Sequence, residues 1–256
     1  MYIITINLYN IIMMEKYLLE DENWEIQHIT IEKKEKVEWL SGNNTCKIYE
    51  MLKWTLSNVD ENQSLCIKEI RKDLLDNIET SKTVQHQMEI FKKLKENNIP
   101  TYSNIRINKE QQILVAPFIW NYKDKFCISW NNSSKAKDII IKEIWWLHHR
   151  DISNLNTFID TAKEMIEKLS NAGIKIFDDS FFYTYNCKGG MLDIMIWDLH
   201  DITIEETNND PKKIMRIRQH NKIQFEKSLL FLHDDWVIKK WTYDTFYCQL
   251  RDLNDY

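Results

Sequence analysis

The sequence predicts an α+β protein whose first half is antiparallel strands around one helix and whose second half is mainly helical. Three observations carry that expectation. Short apolar runs alternate with polar turns as far as Ile70. Apolar residues then switch to three- and four-residue spacing, first between Thr80 and Asn97 and again beyond Lys135. Glycine and proline are scarce, four and three in 256 residues, where an average chain carries about 12% of the two together. That scarcity excludes a turn-rich β-sandwich or a collagen-like chain, and it makes each glycine a marked position.

The elements follow in order. Trp24 to Ile31 and Lys36 to Leu40 have extended character, and Ser41-Gly42-Asn43-Asn44-Thr45 breaks the chain after them. Cys46 to Trp54 resumes as a strand, Asn58 to Gln63 is a polar turn, and Ser64 to Ile70 is a further strand. Val84, Met88, Phe91 and Leu94 form the apolar stripe of a helix that Asn97-Asn98-Ile99-Pro100 stops. Ser103 to Asn108 and Gln112 to Trp120 read as strands turning at Lys109-Glu110. Lys135 to His148 and Leu155 to Ser170 read as helices, the second closed by Asn171-Ala172-Gly173. Ile174-Lys175-Ile176 is short and extended. Phe181 to Tyr185 and Met191 to Trp197 then flank the turn Lys188-Gly189-Gly190. A helix from Lys212 to Leu232 and a shorter stretch after Trp241 complete the chain.

Composition narrows the function classes. A net charge of −5 provides no global basic field for nucleic acid or an anionic membrane. Lysines and acids alternate from Ile31 to Glu38, the pattern of a solvated stretch. The aromatic share of 12% argues for a packed core, and without basic interleaving it does not read as a base-stacking platform. Five dispersed cysteines, with no C-x-x-C pair, predict neither a disulfide framework nor a zinc site and point to a reducing, cytoplasmic compartment. Met1 to Met14 is apolar but falls short of the roughly 20 residues of a membrane span. It lacks a basic flank or a cleavage site, and a strand or helix packed on the domain is expected there.

Several residues stand where phosphoryl-transfer chemistry would need them. Gly42, Asn43 and Asn44 lie in a strand-to-strand turn where backbone N–H groups can approach phosphate oxygens. Lys68 lies within the apolar strand Leu65-Cys66-Ile67-Lys68-Glu69-Ile70, where an inward ammonium needs an anion, and Glu89 on the next helix is a candidate carboxylate. Ile113 to Ile119, with Pro117, is a buried strand ending at a proline. Asp178 precedes the Phe181–Trp197 hairpin and Asp198 follows it, twenty residues on. One such carboxylate can orient or deprotonate an attacking hydroxyl and the other can hold a divalent cation.

Taken in this order, these segments resemble the protein-kinase-like superfamily. The reduced turn resembles aminoglycoside and choline kinase-like enzymes more than full eukaryotic-type kinases. The resemblance implies a bilobal fold: an antiparallel β-rich N-lobe over residues 1–119, with five strands and one helix, and a reduced, mainly helical C-lobe over 120–256. It also implies ATP and Mg²⁺ as cofactors. Gly42, Asn43, Asn44, Lys68, Glu89, Pro117 and Ile119 would be nucleotide-binding, Asp178 and Asp198 catalytic, and Asp198 the metal ligand. The acceptor would be a hydroxyl of a protein or a small molecule. Delivery into a host cytosol would follow if the chain is an effector.

Departures from that pattern also stand in the sequence. Where the family carries a metal-binding asparagine, five residues after the catalytic aspartate, this chain has Tyr183, or Thr184 counted from Asp179. Ile176 replaces a common histidine, and Asp198-Leu199-His200 replaces Asp-Phe-Gly. Fifty-eight residues follow Asp198, which implies a truncated C-lobe. Loss of one oxygen ligand weakens a magnesium site unless Asp179, Asp201 or water replaces it. The alternative is therefore a pseudokinase that binds a partner without catalysis. His149-Arg150-Asp151-Ile152-Ser153-Asn154-Leu155-Asn156 matches H-R-D-x-x-x-x-N literally. A helical stripe follows it instead of a hairpin, so it reads as an interhelical loop in which Asp151 or Ser153 caps the next helix.

Overall fold

Alternation of apolar residues on strands and helical spacing elsewhere produce an α+β architecture. The computed structural model describes residues 14–37, 46–56, 64–70, 80–117, 121–122, 125–129, 152–186 and 190–234. Gly42, Asn43, Asn44, Ile119, the helix expected at 135–148, and His149, Arg150 and Asp151 lie outside those residues, as do both ends of the chain.

Six antiparallel strands, β1 (Glu15–Glu20), β2 (Ile26–Lys36), β3 (Cys46–Leu56), β4 (Leu65–Ile70), β5 (Arg106–Asn108) and β6 (Ile113–Pro117), form a closed barrel in the order β1-β2-β3-β4-β6-β5. Closure rests on Glu20 opposite Ile107. The strand period of two separates two cores. Leu19, Ile29, Ile31, Met51, Leu65, Ile67 and Val115 fill one cluster. The alternate residues Ile48, Cys66, Ile70, Leu114 and Ala116 belong to a second, larger cluster, with the helices. Lys68 shares the face of Cys66 and Ile70, and its register partners are Ile48 on β3 and Leu114 on β6.

The barrel has one strand more than the five expected. β1 was not foreseen because its EKYLLE run places one buried residue, Leu19, among charged and half-exposed ones. The two extended runs expected around Lys36 are one strand, β2, and the charged stretch expected to be solvated is part of it. Register shifts at Lys33 allow this. Lys34 then stands 2.7 Å from Glu15 Oε2 and 2.5 Å from Glu69 Oε1.

Helix α1 (Val84–Glu96) begins at Thr83, whose hydroxyl accepts from the His86 N–H, and buries the expected stripe Val84, Met88, Phe91 and Leu94. Helix α2 (Leu155–Asn171) buries Phe158, Ile159, Ala162, Met165, Ile166 and Leu169. Its N-cap is Asn154, not Asp151 or Ser153. The Asn154 side chain exchanges two hydrogen bonds with the Leu192 backbone, 2.9 Å each, instead of capping the helix. Helix α3 (Pro211–Asp234) runs beside α2.

The expected hairpin, β10 (Phe181–Asn186) and β11 (Met191–Ile196), is half of a four-stranded sheet. β7 (Asn121–Tyr122) and β8 (Lys125–Ser129) complete the order β11-β10-β8-β7. β9 (Ile174–Lys175) pairs with β12 (Thr203–Ile204). The end of β11 is bonded to the segment after α1: Ile196 N–H donates to Pro100 O at 2.8 Å, and Thr101 Oγ1 donates to Ile196 O at 2.9 Å. Trp197 packs on Phe182 and Tyr102, with ring centroids 4.2 and 5.8 Å apart.

Gly173 joins α2 to β9 at φ +73°, and a Cβ there would meet Glu205 O at 2.0 Å. Gly173→Ala is therefore expected to destabilise the fold by about 3 kcal/mol, read as a lower urea midpoint. An unchanged midpoint would show that the junction can relax.

Candidate functional site

Two strand exits and one helix bring the candidate residues together. β4 directs Lys68 outward from the barrel. The segment leaving β11 then meets it: Lys68 Nζ stands 2.9 Å from Asp198 Oδ1, across 130 residues of sequence. Both side chains are partly buried. The His200 N–H also donates to Asp198 Oδ1, at 3.2 Å. Burial opposes ionisation of the Asp198 carboxyl. The Lys68 ammonium, the His200 imidazole and the two hydrogen bonds outweigh it and hold the group below the ordinary carboxylate value.

Asp178 opens a single 3₁₀ turn, Asp178–Ser180, directly before β10. The chain entering it is clamped by α3. Asn221 accepts from the Ile176 N–H at 3.1 Å and donates to Ile174 O at 2.8 Å, and the His220 ring lies 2.9 Å from Ile176 O. The adjacent Asp179 is partly buried. Burial first, then the charges of Asp198, Asp178 and Asp201, push its carboxyl up to about 7. Four carboxylates therefore share one electrostatic neighbourhood with Lys68.

His200 and Asp201 complete the surroundings. His200 Nδ1 is 3.1 Å from Asp201 Oδ2, and Lys82 Nζ is 4.0 Å from Asp201 Oδ1. Burial lowers the His200 pKa, with Lys68 and Lys82 acting in the same direction against Asp198 and Asp201.

Of the residues singled out in the sequence, Lys68 and Asp198 are in contact, and Asp178 lies among the charges around Asp179. Glu89 is not brought to Lys68 by any described contact. It is exposed on α1, where the Gln85 side chain donates to it at 3.4 Å. Pro117 ends β6 opposite Leu65, buried. Tyr183 points away from the site: it is fully buried, its hydroxyl on Ser228 of α3 and its ring 6.1 Å from Phe158. No sequence signal marked His86 as a neighbour of the segment after Asp198, because its contact with Ile202 joins residues 116 apart in the chain.

Among the described residues, no three of His, Cys, Asp and Glu are set to hold a metal together. Magnesium does not need such a cage, since it takes one or two carboxylates with phosphate oxygens and waters. Asp198, with Asp178 and Asp179 nearby, offers hard oxygen donors, and Lys68 offers an ammonium for a phosphate. In donor chemistry, these residues fit a magnesium nucleotide. No described helix is long and apolar enough to cross a membrane.

The raised Asp179 pKa gives the fold a pH dependence. Its folded pKa lies above its unfolded value of about 3.9. Its contribution is thus fully present below pH 4 and is lost as the pH rises through about 7. Asp179→Asn, which stays neutral, should gain stability over the native chain at pH 8 on the order of 2 kcal/mol, discounted for partial exposure. It should gain none at pH 4. Urea unfolding at the two pH values checks this, and an equal effect at both would remove the raised pKa.

No family model matches the chain, and no curated protein matches it. Solved structures do overlap with it in part. A Toxoplasma gondii specific rhoptry antigen kinase domain overlaps 93% of this chain and 87% of its own, at 7% identity and a TM-score of 0.43. The choline kinase LicA from Streptococcus pneumoniae overlaps 82% of this chain and 79% of its own, at 14% identity and a TM-score of 0.31. Scores of that size carry no weight by themselves.

Proposed function

We propose that the chain is a divergent kinase-like phosphotransferase, moving a phosphoryl group from ATP to a hydroxyl of a protein or small molecule. The observation that carries this reading is the Lys68–Asp198 contact at 2.9 Å, beside the turn holding Asp178 and Asp179. An ammonium for phosphate oxygens, a carboxylate for a cation and a carboxylate for the acceptor are the groups that phosphoryl transfer needs in one place. On this reading the fold is bilobal, with the N-lobe over 1–119 and the C-lobe over 120–256. Gly42, Asn43 and Asn44 cover the phosphates, and Pro117 and Ile119 lie at the adenine edge.

Each residue then has a distinct task. Lys68 binds the phosphate oxygens and loses Asp198 as its counterion when it does so. Asp198, already ionised, presents its oxygens to the cation. Asp198, with Asp178 and Asp179 nearby, would hold Mg²⁺, which would supply neutralisation of phosphate charge there. Asp178 orients the acceptor hydroxyl and accepts its proton. Asp179, half-protonated near neutral pH, limits the repulsion among the carboxylates.

A second reading has its own support. Glu89 is exposed, and Lys68 is engaged by Asp198 instead. A pseudokinase could keep that ion pair as a structural tie and use its surface for a partner.

Thermal unfolding with nucleotide separates the two. At Mg·ATP a hundredfold above Kd, binding stabilises by about 2.7 kcal/mol, a rise of roughly 5–10 °C for a chain of this size. Asp198→Ala should abolish the magnesium-dependent part of that rise. No response to ATP, with or without Mg²⁺, would remove the phosphotransferase reading.

A further inference from the structure

Helix α1 does not hold Lys68 through Glu89, yet it is joined to the site by another route. His86, one helical turn before Glu89, places Nε2 2.7 Å from Ile202 O. A carbonyl oxygen only accepts, so the imidazole donates through Nε2–H. Ile202 is buried and follows Asp201. Just before α1, Lys82 faces Asp201, which holds the His200 ring. The His200 N–H in turn binds the Asp198 carboxylate that Lys68 engages. An unbroken series of contacts thus runs from α1 through residues 200–202 to the ion pair.

We propose that His86 is the positioning residue that couples α1 to the Lys68–Asp198 pair. This rests on the kinase-like reading only in treating that pair as the reacting centre. The coupling itself follows from the contacts. Two features make His86 suited to it. It lies in the first turn of α1, where the Thr83 cap fixes the backbone: the His86 N–H donates to Thr83 Oγ1 at 3.2 Å. Its imidazole is also short and rigid, so one hydrogen bond fixes the distance between helix and loop at little entropic cost. Asp201, held between Lys82 and His200, has a positive φ of 63°. The chain therefore turns sharply just before Ile202, and an external anchor on the Ile202 carbonyl resists its unwinding. Glu89 is exposed and makes no described contact with residues 200–202.

The test compares His86→Met, which keeps bulk and helix propensity but no donor, with His86→Gln, which restores an N–H at similar reach, and with Glu89→Ala. Two readouts are taken on the full chain: hydrogen-exchange protection of the His200 amide, and Mg·ATP affinity by calorimetry. His86→Met should lose about five- to tenfold in both, the worth of one net hydrogen bond. His86→Gln should recover most of each, and Glu89→Ala should change neither by more than about twofold on the same scale. Unchanged His200 protection in His86→Met, or an equal loss in Glu89→Ala, overturns the proposal. If the native chain binds no nucleotide, the phosphotransferase reading fails, while the exchange comparison still decides the coupling. Should His86→Met not fold, the exchange of the native His86 ring proton decides instead. A protected Nε2–H supports the anchor, and exchange as fast as free imidazole removes it.

Discussion

An ammonium on an otherwise apolar strand face must find an anion, and the Lys68–Asp198 contact is how this protein meets that requirement. The period of the strand decides it. Leu65 and Ile67 turn into the barrel, so Cys66, Lys68 and Ile70 must face the second core. A lysine there, between Ile48 and Leu114, would be costly without a partner. Asp198 comes from 130 residues away, just after the end of β11, which is bonded to Pro100 and Thr101. The ion pair and the backbone bonds at Ile196 thus fix the same junction, one by charge and the other by main-chain geometry.

Around that junction acidic groups gather. Among the described residues, Asp178, Asp179, Asp198 and Asp201 outnumber Lys68 and Lys82. The protein accommodates the excess in two ways. Asp198 takes the ammonium and stays ionised, whereas Asp179 retains its proton to higher pH. A local surplus of negative charge with oxygen donors is also the setting in which a hard cation binds. The same excess costs stability above neutral pH.

Tyr183 stands where the sequence resemblance implied an asparagine, and it belongs to the core. Its neighbours Phe181 and Phe182 are buried as well, and its hydroxyl is held by Ser228 on α3. An asparagine there would leave a cavity and an amide facing Phe158 and α3. The carboxylates Asp178, Asp179 and Asp198 stand in the turn before β10 and the segment after the hairpin, while Phe181, Phe182 and Tyr183 of β10 pack in the core.

Much of the architecture was legible in the chain. The apolar stripes of α1, α2 and α3 marked helices within a few residues, and the stops at Asn97 and Gly173 marked two of their ends. Lys68, Asp178 and Asp198 stood out because the order of segments resembles the kinase-like one and puts them at its marker positions. β1 and the outer half of β2 were not legible. Their charged residues are stabilised by partners on other strands, as Lys34 is by Glu15 and Glu69, and periodicity does not register such partners. β8 stayed hidden because its pairing with β10 is supplied by a strand far along the chain.

The sequence by itself marked the helices α1, α2 and α3 and the Phe181–Trp197 hairpin, and it offered candidate residues for phosphate, cation and hydroxyl chemistry. Those properties are local, set by side-chain period and residue type. Only the tertiary structure decided that Lys68 meets Asp198, that Glu89 faces solvent while His86 reaches Ile202, and that Asp179 holds its proton to about pH 7. Each of these depends on distances between segments tens to more than a hundred residues apart. Such distances are set by how the barrel, α1 and the β10–β11 hairpin pack, and no local pattern encodes them.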